Sequence, residues 1–149
     1  MRIIVGITGA SGSVYGVRLI EVLNSVGAEI HAVVTEHGWQ VLAYECGIAR
    51  DFIAGKDWIA DLAEDPATAS TTSVCLKFTD PRIRDGAAFA KAVARRLEKE
   101  GVALDAGAYR DAPPGLRIWC GSTVEASDVA ALMPWIEYAF DAEIAAQDA

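Results

Sequence analysis

Cationic side chains are scarce: 13 Lys and Arg stand against 21 Asp and Glu, a formal net charge of −8. That balance excludes nucleic acid as a partner, because neutralising phosphates takes clustered Lys and Arg. Cysteine is also sparse and unpaired in pattern. Cys46, Cys75 and Cys120 are odd in number and far apart, and neither His31 nor His37 has a cysteine beside it. No C-x₂₋₄-C pair exists, so no metal site is expected and the thiols read as reduced core or near-surface groups. No apolar run reaches the roughly 20 residues of a membrane span, and the N-terminus lacks a signal peptide's charged and apolar regions. A cytoplasmic protein without membrane contact is the expectation.

What the chain does have is one domain's length, 149 residues, and 52% hydrophobic residues, enough to bury a core. Its most informative stretch is Gly6-Ile7-Thr8-Gly9-Ala10-Ser11-Gly12-Ser13-Val14-Tyr15-Gly16. An Ile/Val run at Arg2–Ile7 precedes it and apolar residues at helical spacing (Val17, Leu19, Ile20, Leu23) follow it. It therefore reads as a strand-to-helix turn. Gly9 and Gly12 permit a tight turn and leave its N–H groups open to a ligand. The first N–H groups of a helix are unsatisfied and its dipole is positive there, which suits an anion. Ser11 and Ser13 either bond a phosphate or simply cap the helix, and the local pattern leaves both readings open. A glycine at every third position is neither G-x-G-x-x-G nor a P-loop, so a mononucleotide phosphate fits better than a dinucleotide.

Along the chain, Gly27 closes the first helix and Ala28–Thr35 alternates as a second strand, with His31 facing solvent or a side layer. A second helix is expected from Glu36 to Cys46, ended by Gly47. Residues 49–72 read as a link broken at Glu64-Asp65-Pro66. Ser73–Phe78 reads as a strand and Asp85–Glu100 as a helix with Phe89, Val93 and Leu97 on one face. Leu104–Arg110 and Leu116–Cys120 read as strands joined by the loop Asp111-Ala112-Pro113-Pro114-Gly115. A last helix is capped by Ser127 and carries Val129, Leu132, Met133, Ile136 and Phe140 inward.

The words IIVGITGASGSVYGVRLIEVL and IHAVVTEHGWQVLAYECG resemble the start of the flavin prenyltransferases, over residues 1–48. That resemblance implies that Gly9, Ala10, Ser11, Gly12 and Thr35 hold the phosphate side of FMN, and the local reading of the turn adds Ser13 to the same cofactor site. It also implies active-site roles for Ser11 and Glu45. The family's remaining strands, its arginine, its second glutamate and its prenyl-phosphate grip have no counterpart here.

A second resemblance begins at Asp57. The words DWIADLAEDPATASTTSVCLKF and FAKAVARRLEKEGVALDAGAYRDAPPGLRIWCGSTVEASDVAALMPWIEYAF resemble the C-terminal small domain of bacterial phosphoserine aminotransferases. It implies that Arg110 holds a substrate phosphate and Arg117 an α-carboxylate. Strand-end arginines are more often simply solvated. None of Lys56, Lys77, Lys91 or Lys99 sits in that family's Schiff-base lysine motif.

Two incomplete enzyme fragments in one domain-sized chain imply an engineered or recombined chimera without native catalytic activity. The alternative is a weak FMN- or phosphate-binding module that keeps the glycine-turn site, FMN being the one cofactor implied. The expected fold is α/β: a single domain over 1–149, made of a β-α-β-α part (1–48), a link (49–72) and a β-α-β-β-α part (73–149). Right-handed crossovers would join all strands in one mixed five-stranded sheet, order 2-1-3-5-4, with only the fifth strand antiparallel. Each fragment would have lost a packing partner, so a homodimer through Trp58, Trp119, Trp135 and Tyr138 is the expected association.

Overall fold

The computed structural model describes residues 1–9, 13–36, 38–39, 45–70, 72–121 and 123–147; the side chains of residues 13, 14, 45, 46 and 67 lie outside that description. Its elements are β1 (Arg2–Ile7), α1 (Ser13–Ser25), β2 (Glu29–Val34), α2 (Glu45–Ile53), β3 (Ile59–Asp61), β4 (Ser73–Phe78), α3 (Gly86–Lys99), β5 (Gly115–Trp119) and α4 (Ala126–Gln147). A single 3-10 turn at Pro66–Thr68 lies between β3 and β4.

The five strands among the described residues form two sheets rather than one. β1 and β2 pair in parallel, Arg2 opposite Glu29 through Ile7 opposite Val34. β3, β4 and β5 form a separate antiparallel sheet in that order. The expected order 2-1-3-5-4 fails for a simple reason. β4 spends one edge on β3 and the other on β5, so none is left for β1. The expected pairing of the last strand with Ser73–Phe78 is present, Val74 opposite Ile118 and Leu76 opposite Leu116.

In the first sheet α1 packs on both strands. Val5 and Ile7 are buried beneath it, and a Cβ on Gly16 would stand 2.9 Å from Ile7 Cγ1, so helix and strand touch there. The opposite face of the pair carries Arg2, Ile4, Gly6, Glu29, His31 and Val33, all exposed. His31 therefore faces solvent, its Nε2 3.2 Å from Glu29. Gly27, at φ +73°, closes α1 as expected, its N–H bonded to the Asn24 carbonyl at 3.0 Å. Residues 36, 38 and 39 are helical, and residues 40–44 of the expected second helix lie outside the described residues. Gly47 does not end a helix: α2 runs through it to Ile53.

The second sheet holds the main core. Val74, Leu76, Leu116 and Ile118 alternate onto one face, against Phe89, Val93 and Leu97 of α3 and Val129, Met133, Ile136 and Phe140 of α4. The other face carries Cys75, Lys77, Arg117 and Trp119, none fully buried. Trp58 stacks on Phe140 with ring centroids 4.1 Å apart, and Phe89 meets Phe140 edge-on at 5.6 Å. Trp58 is thus a core residue, not an exposed former interface, whereas Trp119, Trp135 and Tyr138 are exposed as expected. Cys75 is half-buried and Cys120 is buried.

Two expected boundaries move. Leu104–Arg110 is not a strand: it contributes one bridge, Gly107 to Leu116, beside β5. Asp105 at φ +52° breaks the extended backbone there, and Leu104 is left exposed. Conversely, Ile59–Asp61 inside the supposed link is a strand, because Ile59 and Trp58 are buried against the core. α3 starts where its cap requires, with Asp85 Oδ1 accepting from the Ala87 and Ala88 N–H groups at 3.0 Å each. α4 starts at Ala126, so Ser127 sits inside its first turn rather than capping it; Pro134 interrupts it midway.

Candidate functional site

Parallel pairing fixes where the glycine turn lies. Ile7 and Val34 are register partners at the C-terminal ends of β1 and β2, so the turn into α1 and the turn after β2 leave the same sheet edge. In open α/β sheets that edge is where ligands bind. Gly9 is buried with φ +83°, a backbone that a side chain strongly disfavours, as its place in the turn requires. α1 then begins at Ser13, leaving its first N–H groups directed to that edge. Ala10, Ser11 and Gly12 lie outside the described residues, as do the side chains of Ser13 and Glu45.

Thr35 is the best-defined member of the set. Its N–H donates to the Ile7 carbonyl at 2.9 Å, which joins the end of β1 to the end of β2. Its Oγ1 accepts from the Gly38 N–H at 3.1 Å, while its carbonyl accepts from Trp39 N–H at 3.0 Å. The hydroxyl is thereby oriented at an exposed position and keeps its proton to offer to a ligand oxygen. Gly38 is buried, and a Cβ there would meet the Ile7 carbonyl oxygen at 2.7 Å. Sequence reading passed over Gly38; its signal was a glycine three residues past the strand end, where only a bare backbone lets the turn approach β1 so closely.

Arg110 and Arg117 are not brought into one site. Arg117, on the open face of the second sheet, bonds Asp105 Oδ2 at 3.0 Å and stands over the Tyr109 ring at 5.9 Å. Arg110 is exposed in the loop before β5 and lines a cleft against α3, whereas Arg117 lines a different one against Trp119 and Asp128. Among the described residues no group of His, Cys, Asp or Glu could hold a metal ion, and no helix is long and apolar enough to cross a membrane.

Comparison with known proteins divides the chain along the same line. A phosphoserine aminotransferase of Methanosarcina barkeri is 47% identical over 92 residues, 60% of this chain and 23% of that protein. A flavin prenyltransferase UbiX of Halalkalibacterium halodurans is 51% identical over 47 residues, in a different part of the chain, covering 32% of it and 23% of that protein. The Escherichia coli flavin prenyltransferase UbiX is 40% identical over 74 residues, 48% of this chain and 39% of that protein. The chain thus spans under a quarter of the length of the first two relatives. The Flavoprotein family model matches residues 1–87, past Gly47 where the quoted words end and through β1, α1, β2 and the strands β3 and β4. With that match running over more than half of its length, and with the glycine turn and Thr35 at one sheet edge inside it, the chain belongs to the Flavoprotein family.

Proposed function

We propose that this chain is a binding module for the phosphate side of FMN, with neither prenyl-transfer nor aminotransferase activity. The supporting observation is the shared C-terminal edge of β1 and β2, where the left-handed Gly9 turn, the start of α1 and the oriented Thr35 hydroxyl come together. Backbone N–H groups at the start of α1, with Ser11 and Ser13, would take the phosphate oxygens, and Thr35 would donate a further bond. Bound flavin would supply the redox-active ring; the chain's own part is to hold its phosphate. Glu45 would be an inherited residue beside that site, and Arg110 and Arg117 inherited residues of the other part.

In this reading the chain carries no catalysis, and two features of the sequence support that. No lysine occupies a Schiff-base motif, and the prenyl-phosphate grip has no counterpart in the sequence. A chain assembled by recombination or engineering from two enzyme fragments accounts for both facts, with stability supplied by the aromatic core of the second part. Exposed Trp119, Trp135 and Tyr138 are where two such chains would associate.

The test is an FMN titration of cofactor-stripped protein, followed by flavin fluorescence and melting temperature. Micromolar saturable binding, abolished by Gly12→Asp, is the expected result. At FMN a hundredfold above Kd the stabilisation is about 2.7 kcal/mol, roughly 5–10 °C in Tm. No fluorescence change and no melting shift at millimolar FMN would reduce the chain to a folded chimera without a ligand.

A further inference from the structure

Among the described residues β1 pairs with β2 and with no other strand, so its far edge is open. The Glu29 N–H donates to the Met1 carbonyl at 3.0 Å and the Thr35 N–H to the Ile7 carbonyl at 2.9 Å, which turns the backbone groups of the odd-numbered residues toward β2. Those of Arg2, Ile4 and Gly6 therefore point outward, since a strand repeats every two residues. Folded proteins guard an open edge with charge, proline, a bulge or a covering element. The free edge of β2 has Glu29 and His31, but β1 reads Arg-Ile-Ile-Val-Gly-Ile, with a charge only at its start.

α1 overhangs the same edge with an apolar stripe. Gly16 touches Ile7, so Ile20 and Leu23, partly buried and on the same row of the helix, face the sheet. Each residue just before that row, Tyr15, Leu19 and Val22, with Val26 just past the helix end, is exposed and apolar. A β-α-β connection is right-handed, and in that hand the flank preceding the sheet-facing row lies on the β1 side of the helix. The open edge and the exposed stripe are thus one surface.

We infer that a second copy of this chain docks on this surface, the two β1 strands pairing antiparallel about a twofold axis at Ile4 to give a continuous sheet in the order β2-β1-β1-β2. Pairing the outward backbone groups sets Ile4 opposite Ile4 and Arg2 opposite Gly6 of the second copy, each pair exchanging both of its hydrogen bonds. A slip of two residues either way leaves one of these positions unpaired, and in this register Arg2 meets a bare glycine rather than its own copy. Each α1 packs over its own β1-β2 pair, so the two helices would stand about 10 Å apart, twice the strand spacing and a helix-packing distance. Stripe then meets stripe. The charges of β1 and α1 are Arg2, Arg18 and Glu21 in a chain of net charge −8, so two copies repel each other least at this face. The glycine turns fall at opposite ends of the joined sheet, which keeps the inference independent of the FMN reading, and the surface is separate from Trp119, Trp135 and Tyr138.

Sedimentation equilibrium of the full chain in the micromolar range tests it, with a mass twice 15.8 kDa expected. Leu19→Lys/Val22→Lys replaces side chains exposed in the free chain, so its circular dichroism melt should match the parent while the dimer weakens tenfold or more. A positional readout comes from Ile4→Cys, whose two copies would have Cα atoms about 5.5 Å apart. A short bismaleimide should link them into a dimer beyond any linked parent, and should not link Glu29→Cys, which lies on β2 away from the axis. A monomer throughout the concentration range would overturn the inference. So would a dimer undiminished by Leu19→Lys/Val22→Lys, failure of Ile4→Cys to cross-link, or a dimer abolished by Trp135→Ala/Tyr138→Ala instead.

Discussion

Gly38→Ala is the substitution that most directly probes how the turn after β2 is held. Its new Cβ would lie 2.7 Å from the Ile7 carbonyl oxygen, 3.0 Å from Val34 Cγ1 and 3.3 Å from the Ile7 carbonyl carbon. An ordinary carbon-to-oxygen approach is about 3.3 Å, so the backbone must part by roughly half an ångström. The Ile7 oxygen cannot retreat freely, since it accepts the Thr35 N–H at 2.9 Å and that bond ties the two strand ends together. Overpacking of this kind costs about 1–3 kcal/mol, offset by less than about 1 kcal/mol of helix propensity because residue 38 lies near a helix start. The net loss is about 1–2 kcal/mol, a fall of roughly 2–8 °C in Tm for a chain of this size. Gly47→Ala is the internal control. It lies within α2 with open space where its Cβ would stand. Replacing a helical glycine there should gain about 0.5–1 kcal/mol. Circular dichroism melts of the two variants should therefore move in opposite directions. If Gly38→Ala melts with the parent, or Gly47→Ala below it, the account of backbone contact between the turn and β1 is wrong.

Other consequences are open to measurement. Phe140→Ala removes the ring on which Trp58 stacks and should cost about 3–5 kcal/mol, read by chemical denaturation together with a shift in Trp fluorescence. Thr35→Val keeps the side chain's shape but deletes the acceptor of the Gly38 N–H. It should lower stability by about 1 kcal/mol and weaken FMN severalfold in the fluorescence titration. The Arg82 guanidinium, bonded to both oxygens of Asp80, holds that carboxyl below the usual carboxylate range. A lowered folded value gives stability that is present above the unfolded value and is lost as pH falls through the folded one. Urea unfolding of Arg82→Gln should accordingly trail the parent at neutral pH, and the gap should narrow as both are titrated into acid.

The sequence made local structure legible where one residue type settles the backbone. Gly27 at the end of α1 and the left-handed Gly9 are where the residues put them, and Asp85, read as the first residue of α3, is its cap, because each solves a terminus within a few neighbours. The inward faces of α3 and α4 were likewise readable from their spacing. What could not be read was partnership between strands. Leu104, Ala106 and Ala108 alternate like a strand, yet Asp105 at positive φ leaves only the Gly107 bridge. Ile59–Asp61 is too short to carry an alternation, and only burial against β4 makes it a strand. The one-sheet expectation rested on crossover handedness, which governs a connection only after its two strands share a sheet. At the candidate site, Thr35 was singled out through the resemblance to the flavin prenyltransferases, whereas Gly38 owes its role to a contact with β1 that no local pattern announces.

Pro134 carries a consequence for how the last helix opens. Lacking an N–H, it leaves the Ala130 carbonyl without its intrahelical donor, and both residues lie on the wet side of α4. The ladder is thus divided into a leading segment anchored by Val129 and Met133 and a trailing one anchored by Ile136, Ala139, Phe140 and Ile144. Amide hydrogen exchange should resolve them as two cooperative units. The trailing segment, gripped by the Trp58 stack, should exchange only with global unfolding, while the leading turns should exchange earlier through local opening at the proline.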